Sequence, residues 1–211
     1  MIICFEGIDG CGKSTQVNII AGVLRQKGYN PCIVKHPGQT EFGAQVRKII
    51  LEGVQPVSDL AHRLLFWADF FESMEQYRSE ECLIFDRHPR YSNYAYGGGM
   101  VQHGEEQRSL VKTLRLRQLI MLDDVLKESY PVPDKTFIID VPVGEAMKRI
   151  EQRGEKTIIE SRGRLYFNDV RRAYQSFVKG VLDEAFDEVI LIDGTGTVEQ
   201  ITSDILSHMG M

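Results

Sequence analysis

The sequence predicts an α/β fold in which a central five-stranded parallel sheet lies between two layers of helices. Short runs rich in β-branched and aromatic residues alternate with long amphipathic stretches, which is typical of a parallel sheet covered on both faces. A glycine-rich segment follows the first apolar run directly and precedes the first amphipathic stretch, as in folds that bind phosphate at the start of a helix.

The predicted strands, in chain order, are Ile2–Phe5, Cys32–Lys35, Cys82–Phe85, Thr136–Val141 and Val189–Ile192. The predicted helices lie near 13–28, 42–53, 58–78, 106–127, 143–153, 166–185 and 197–208. Seven lysine and arginine residues fall within 149–172, and we interpret this segment as helix, mobile loop and helix, with a lid at about 153–165. A chain of 211 residues suits one buried core, so we expect a single domain, 1–211.

Composition argues against several classes of partner. The net charge is −5 and the sequence pI is about 5.6, so we expect neither a nucleic-acid nor an anionic membrane surface. No apolar run approaches the ~20 residues of a membrane span. The first residues already resemble a strand, which leaves no room for a signal peptide, and the four cysteines are scattered. We therefore expect reduced thiols and a cytoplasmic protein.

The glycine-rich segment from Gly7 to Ser14 fits the pattern G-x-x-x-x-G-K-[ST] in its usual context between a strand and a helix. It predicts a P-loop three-layer sandwich that binds ATP, with Lys13 on the β- and γ-phosphates and Ser14 as a ligand of Mg²⁺. We expect the Lys13 side chain to point into solvent before ATP binds. The predicted ATP-binding loop residues are Gly7, Ile8, Asp9, Gly10, Cys11, Gly12, Lys13, Ser14 and Thr15. No NKxD guanine motif is present, which favours a small-molecule kinase.

Two further segments supply a candidate acceptor site. One is Lys35-His36-Pro37-Gly38-Gln39-Thr40, and the other runs from Leu83 through Asp86-Arg87-His88 to Gly98. With the P-loop and Leu64-Leu65-Phe66-Trp67-Ala68-Asp69, these segments resemble the thymidylate kinase family. That family reads FEGxDGxGKST, REPGGT, LFxAxR and DR[YH]xxSxxAYQG, followed by an arginine-bearing lid. The resemblance extends from residue 2 to about 194.

The resemblance implies Mg²⁺-dependent transfer of the ATP γ-phosphoryl group to a deoxynucleoside monophosphate, most often deoxythymidine monophosphate (dTMP). It also implies a homodimer through the helices near 42–53 and 58–78, and a cis bond before Pro37. Arg47 and Arg87 would grip the acceptor phosphate, Phe66 would stack on the base, and Tyr96 would exclude ribonucleotides. Asp9 would contact the sugar or the water shell of the metal, and Asp86 would lie at the metal. Asp193 and Gly194 would lie beside the adenine, with Arg149 packed over it. The other residues implied around the acceptor are His36, Pro37, Phe70 and Asn93.

This chain departs from the family pattern at informative positions. His36 replaces a glutamate, and Phe70 replaces the arginine that addresses the thymine carbonyl. We expect Phe70 to offer only apolar surface beside Phe66, which would relax base selectivity and admit deoxyuridine monophosphate (dUMP). The P-loop has Gly10 where some members carry arginine, so the catalytic arginine should come from the lid. Arg153 is the candidate, with Arg162 and Arg164 as alternatives.

Two other functions stay open at this stage. A deoxynucleoside kinase needs a carboxylate base to deprotonate a sugar hydroxyl, and although the family glutamate is missing at His36, both Glu6 and Asp86 are possible bases. The string from Asp86 to Pro89 also resembles viral thymidine kinases. A nucleotide-binding regulatory module without catalysis is the third hypothesis. Asp140 competes with Asp86 for the metal, because both end an apolar strand.

Overall fold

The computed structural model describes residues 1–53, 57–98, 121–122, 125–126, 129–154, 156–178 and 188–211. Its five strands are all parallel and lie in the spatial order β2-β3-β1-β4-β5. They are β1 Ile2–Glu6, β2 Cys32–Lys35, β3 Leu83–Asp86, β4 Lys135–Asp140 and β5 Glu188–Asp193. The predicted five-stranded parallel sheet is confirmed, and each predicted strand end lies within one residue of the observed end.

The α-helices described are α1 Lys13–Gln26, α2 Glu41–Arg47, α3 Asp59–Tyr77, α4 Pro89–Gly98, α5 Val143–Arg153, α6 Gly163–Val178 and α7 Val198–His208. The helix predicted over 42–53 is two pieces, because α2 passes into a π-helical turn at Lys48–Glu52. A 3₁₀ turn, Glu160–Arg162, precedes α6. Most of the helix predicted at 106–127 and the end of that at 166–185 lie outside the described residues.

The sheet is buried on both faces. All four residues of β3 are buried, although neighbouring side chains point to opposite faces. Helix α1 packs against α7, whereas α6 contacts α4, α5 and the strands β4 and β5. The largest buried side chains include Phe5, Phe85 and Phe137 at the centre of the sheet. The core therefore extends through the sheet from one helical layer to the other.

Helix α4 is the element that the sequence reading misses, since no helix is predicted over 89–98. The segment is rich in polar residues and ends in two glycines, so its intrinsic helix propensity is low. Pro89 occupies the first helical position, where its missing N–H costs nothing. Tyr91 and Ala95, one turn apart, are fully buried, and α4 packs against α3 and α6. Tertiary packing, rather than local propensity, stabilises this helix.

The carboxyl ends of β1, β2 and β3 bring three motifs to the same edge of the sheet. Strand β1 leads into the P-loop, β2 into the turn at His36, and β3 into Asp86 and Arg87. Ligands of open α/β sheets bind at this edge. No helix in the described ranges combines the length and apolar character needed to cross a bilayer.

Candidate active site

The P-loop conformation requires glycine at defined points. Gly10 has φ +80°, and a Cβ there would lie 2.4 Å from the backbone oxygen of Ala146 on α5. Gly7 has φ +137°, and its Cβ would lie 2.5 Å from the oxygen of Ile139 on β4. Only glycine accepts these conformations and close approaches without strain. The loop therefore packs tightly on β4 and α5 and delivers the chain to the first residue of α1, Lys13.

The expectation that Lys13 points into solvent is wrong. The side chain is only 7% exposed, and its Nζ donates hydrogen bonds to the carbonyl oxygens of Gly7 at 2.9 Å and Ile8 at 3.1 Å. The carbonyls of the loop therefore solvate the ammonium group. Cys11 is buried as well, with its Sγ 3.7 Å from Lys13 Nζ.

A single cavity of about 980 Å³ joins the P-loop to the acceptor segments. Most of the residues that the sequence assigns to the site line this cavity: Asp9, Gly10, Gly12, Lys13, Ser14, Thr15, His36, Pro37, Arg47, Phe66, Asp86, Arg87, Asn93, Tyr96, Arg149 and Arg153. Among the assigned residues, those that do not line it are Gly7, Ile8, Cys11, Phe70, Asp193 and Gly194. Its volume is at the upper end of the range for small-molecule sites.

Ser14 and Asp86 form a pair of oxygen ligands beside the P-loop. The Ser14 hydroxyl donates to Asp86 Oδ2 at 2.8 Å, and both residues line the cavity. Among the described residues, no three His, Cys, Asp or Glu side chains cluster as metal ligands. This donor set fits Mg²⁺, which binds through one or two protein oxygens together with water and phosphate. Asp140 does not line the cavity, because Arg171 and Gln175 hold its carboxylate.

Asp9, Arg87 and Tyr96 form a hydrogen-bonded triad in the cavity wall. Arg87 Nη2 donates to Asp9 Oδ1 at 2.6 Å and to the Tyr96 hydroxyl at 2.9 Å, while that hydroxyl donates to Asp9 Oδ2 at 3.0 Å. Burial alone would raise the pKa of Asp9, but the charges of Arg87 and Lys13 outweigh burial and lower it. Arg87 itself has φ +80°, a strained conformation for a non-glycine residue. Asp9 and Arg87 are therefore both charged at neutral pH, whereas burial raises the pKa of Tyr96 and keeps its hydroxyl neutral.

Glu6 lies beneath this triad and is completely buried. Its carboxylate accepts hydrogen bonds from the His88 backbone N–H at 2.7 Å, the Tyr174 hydroxyl at 2.7 Å and the Ser92 hydroxyl at 2.9 Å. Burial raises the pKa of Glu6, although Arg87 opposes that rise. Glu6 does not line the cavity, which argues against it as a base. Tyr174, which also accepts from Arg87 at 3.2 Å, is a supporting residue that sequence reasoning missed.

The turn after β2 is tied to α3 by Asp69. The His36–Pro37 peptide bond is cis, as the family resemblance implied. Asp69 Oδ2 lies 2.9 Å from His36 Nδ1, and the Asp69 carboxylate also accepts from the Gly38 N–H at 3.3 Å. Arg47 Nη1 donates to the Pro37 carbonyl oxygen at 3.0 Å. The buried aspartate therefore fixes the turn whose Pro37 carbonyl oxygen accepts the hydrogen bond from Arg47.

The assignment of Phe70 to the acceptor site is corrected by the structure. Phe70 is fully buried and does not line the cavity. Its ring packs between His36, at 5.0 Å between centroids, and His88, at 4.5 Å. An apolar ring gains more by joining this aromatic cluster than by facing a wet cavity. Phe66, one helical turn earlier, does line the cavity.

His88, in the same aromatic cluster, should make stability depend on pH. Burial lowers the pKa of this fully buried histidine well below its usual range, and His36 and Arg90 add to the effect. The unfolded chain therefore binds a proton below about pH 6.5 that the folded protein does not bind. We expect the free energy of unfolding to fall as pH drops below 6.5, with a His88 contribution of up to about 1.4 kcal/mol per pH unit.

Urea unfolding at several pH values between 5 and 8 measures this dependence. His88→Phe should flatten the profile below pH 6.5, and the exposed His208 provides a matched control, His208→Phe, that should keep the wild-type profile. An equally steep profile in His88→Phe would show that the pH dependence arises elsewhere.

The lid contributes one arginine held by a buried carboxylate. Arg153 Nη2 lies 2.6 and 2.7 Å from the two oxygens of Glu160, and Glu160 also accepts from the Thr157 N–H at 2.8 Å. The Ile158 N–H donates to the Leu51 carbonyl oxygen at 3.1 Å, which links the lid to the π-helical turn. Of the two alternatives to Arg153, Arg162 lines the cavity and Arg164 does not.

Arg149 connects the P-loop with the loop after β5. Its guanidinium donates to the Cys11 and Gly194 carbonyl oxygens, each at 3.3 Å. The Gly194 N–H in turn donates to the Asp140 carbonyl oxygen at 2.8 Å. Asp193 is exposed and accepts from Thr195. The structure therefore brings Arg149 and Gly194 together beside the P-loop, as the implied adenine contact requires.

Comparison with known proteins identifies relatives of this chain along nearly its whole length. A family model described as thymidylate kinase matches residues 5–205. The curated thymidylate kinase of Fervidobacterium nodosum is 34% identical, covering 98% of this chain and 96% of that protein. The probable thymidylate kinase of Thermococcus onnurineus is 31% identical, and the match again covers 98% of this chain and 96% of that protein. The solved thymidylate kinase of Candida albicans superposes with a TM-score of 0.73 at 24% identity, covering 99% of this chain and 90% of that one, and supports the fold.

Proposed function

Because the chain belongs to the thymidylate kinase family, we propose that it transfers the γ-phosphoryl group of ATP to dTMP, giving deoxythymidine diphosphate and ADP. The observation that carries this proposal is the single cavity lined both by the P-loop and by Arg47, Phe66, Arg87 and Tyr96. A kinase must hold donor and acceptor in one enclosure so that the reacting oxygen and the γ-phosphorus meet in line.

The chemistry of the site suits a phosphate acceptor. The second pKa of a monophosphate is near 6, so its oxygen is already a nucleophile at neutral pH and needs no carboxylate base. The carboxylates at the centre of the cavity are otherwise engaged, since Asp9 binds Arg87 and Tyr96 and Asp86 binds Ser14. Two guanidinium groups, those of Arg47 and Arg87, match the geometry of phosphate oxygens.

Charge neutralisation supplies most of the catalysis in this proposal. The ammonium of Lys13 would leave the Gly7 and Ile8 carbonyls for the β- and γ-phosphates, and the N–H groups at the start of α1 would face the same anion. Ser14 and Asp86 would hold Mg²⁺, which supplies positive charge to the phosphate oxygens when it is bound. Arg153 of the lid would approach the transferred group after parting from Glu160. Tyr96 would fill the space next to the sugar's 2′ position.

Assembly and location extend the proposal. Phe42 on α2 and Leu60 and Leu64 on α3 are 45%, 56% and 46% exposed, and such apolar surface on adjacent helices marks an interface. We propose that the chain forms a homodimer through these helices. Sedimentation equilibrium tests this, and a mass of 24.1 kDa, that of one chain, at every concentration would contradict it.

A cytoplasmic location is also part of the proposal, and the four free cysteines support it.

ADP release from MgATP tests the function directly. The reaction is followed with dTMP, with thymidine and without acceptor. We expect rapid release with dTMP and only background release in the other two assays. Rapid release with thymidine alone would instead identify a deoxynucleoside kinase, and background release in all three would leave a regulatory nucleotide-binding module.

A further inference from the structure

Asp69 is a fully buried residue of α3 whose carboxylate faces the turn after β2. Its Oδ2 lies 2.9 Å from His36 Nδ1, and both of its oxygens accept from the Gly38 N–H at 3.3 Å. A side chain on Gly43 would overlap Asp69 Oδ1, so α2 packs directly against the carboxylate. Asp69 does not line the cavity, and it can therefore affect an acceptor only through the residues that surround it.

The position of Arg47 depends on the same turn. Its Nη1 donates to the Pro37 carbonyl oxygen at 3.0 Å, and the residue lines the cavity. Gly38 has φ +115°, and a Cβ there would lie 2.9 Å from Arg47 Cδ. Glycine adopts this conformation at no steric cost, and its missing side chain leaves room for the aliphatic stem of the arginine. The guanidinium of Arg47 is therefore placed by the backbone of the turn at Pro37 and Gly38.

The Asp69 carboxylate holds that backbone in one arrangement. Hydrogen bonds to a carboxylate are roughly twice as strong as those between neutral groups, and a buried carboxylate without such bonds is strongly unfavourable. Within the described residues, His36 Nε2 has no hydrogen-bond partner, so Asp69 is the polar contact that orients this imidazole. The carboxylate and the turn therefore fix each other, and together they set the position of Arg47.

Helix α3 thus serves the two ends of the proposed acceptor differently. Phe66 lines the cavity and is the residue expected to stack on the base, whereas Asp69, almost one helical turn later, reaches only the turn after β2. Arg47 is expected at the acceptor phosphate, since a guanidinium matches the geometry of phosphate oxygens. A change at Asp69 should therefore disturb the contact with the phosphate more than the contact with the nucleoside.

We propose that Asp69 is a positioning residue, which fixes the turn at Pro37 and Gly38 so that Arg47 meets the phosphate of the acceptor. The inference rests on the proposed function, in which Arg47 binds the phosphate of dTMP. Asp69 consequently strengthens the binding of a nucleoside monophosphate relative to the nucleoside, although it contacts neither.

Isothermal titration with dTMP and with thymidine, which lacks the phosphate, tests the inference. Asp69→Asn keeps the size of the side chain but removes its charge and one of its two acceptor oxygens. The Kd for dTMP should rise roughly 5- to 20-fold, because charge-assisted bonds that fix the turn are lost, while the Kd for thymidine should change less than about twofold. Glu72→Gln is the matched control, since Glu72 is an exposed residue of α3, and it should keep both wild-type values.

The ratio of the two Kd values separates this role from a purely structural one. If Asp69 only stabilises the fold, Asp69→Asn will weaken the binding of dTMP and thymidine by the same factor, and an unchanged ratio overturns the inference. Gly38→Ala strains the same turn and leaves the carboxylate in place. It supplies the same comparison if Asp69→Asn folds poorly, and equal weakening of both ligands in that variant overturns the inference as well.

A double-mutant cycle with Arg47→Met tests the route from Asp69 to the phosphate. Once the guanidinium is absent, adding Asp69→Asn should raise the Kd for dTMP by less than about twofold further. If Asp69→Asn keeps its full effect in the Arg47→Met background, its action does not pass through Arg47 and the inference is wrong. This cycle needs only dTMP and stays decisive when thymidine binds too weakly to titrate.

The failure of the inference is distinguishable from that of the proposed function. Wild-type enzyme that forms no diphosphate from dTMP overturns the proposed function, whereas wild-type transfer to dTMP with an unchanged ratio in Asp69→Asn overturns the inference alone.

Discussion

Lys13→Met is expected to lower the turnover number at least about a hundredfold, because it removes a preorganised cation from the transferred phosphoryl group. The methionine keeps the apolar stem of the side chain. The variant should also unfold more easily, because the Gly7 carbonyl loses the Lys13 ammonium as its donor and an unsatisfied buried group costs about 1–3 kcal/mol, whereas the Ile8 carbonyl still accepts from the Cys11 N–H at 3.2 Å. Turnover is therefore measured well below the melting temperature of the variant.

Lys27→Met is the matched control for this variant. Lys27 is an exposed residue that caps the other end of α1, so the control changes the net charge equally and should retain wild-type turnover and stability. A Lys13→Met enzyme with more than a few per cent of wild-type turnover would contradict the role assigned to the P-loop lysine.

Arg87→Met should abolish acceptor binding and destabilise the fold. Arg87 is the partner of Asp9 at 2.6 Å and lies 3.8 Å from the fully buried Glu6. Removing Arg87 takes the guanidinium away from the partly buried Asp9 and the fully buried Glu6, and the loss of one partner of a fully buried ion pair costs about 3–5 kcal/mol, which is the upper bound here. Urea unfolding measures the stability, and isothermal titration with dTMP measures the binding.

The double variant Arg87→Met with Asp9→Asn separates the two effects. Neutralising Asp9 removes one uncompensated charge, so the double variant should be more stable than Arg87→Met alone while still failing to bind dTMP. Wild-type affinity for dTMP in Arg87→Met would rule out a phosphate-binding role. A single variant within about 1 kcal/mol of wild-type stability would contradict the buried ion pair as described.

The sheet could be predicted from sequence because each strand is a run of four to six residues rich in β-branched and aromatic types, and this length and composition favour a strand over a helix. Helix α4 could not, because its stability comes from Tyr91 and Ala95 packing against distant elements. The break between α2 and the π-helical turn at Lys48–Glu52 also has no local signal that we recognise.

In the candidate site too, the sequence predicts some features and misses others. Four residues that the motifs predict line one cavity: Asp9, Arg47, Arg87 and Tyr96. This part of the site could be predicted because motifs that follow the ends of parallel strands converge on one edge of the sheet. The orientation of individual side chains could not be deduced in this way. Lys13 folds back onto its own loop and Phe70 turns into the core, outcomes that depend on which partners lie within reach in three dimensions.

Asp69 and Tyr174 were missed for a related reason. Each lies within an amphipathic helix, where aspartate usually faces solvent and tyrosine usually packs. Their contacts are with residues far away in the chain, since Asp69 accepts from the Gly38 N–H and Tyr174 donates to Glu6. No periodicity in the sequence distinguishes such contacts from ordinary packing.

Phosphorus NMR of the reaction products tests the central claim most directly, namely that phosphoryl transfer ends on a phosphate oxygen. Wild-type enzyme incubated with MgATP and dTMP should produce ADP and deoxythymidine diphosphate in equal amounts. The β-phosphorus of the deoxythymidine diphosphate should be coupled to its α-phosphorus. Release of inorganic phosphate with dTMP unchanged would reveal hydrolysis instead of transfer and would contradict the account.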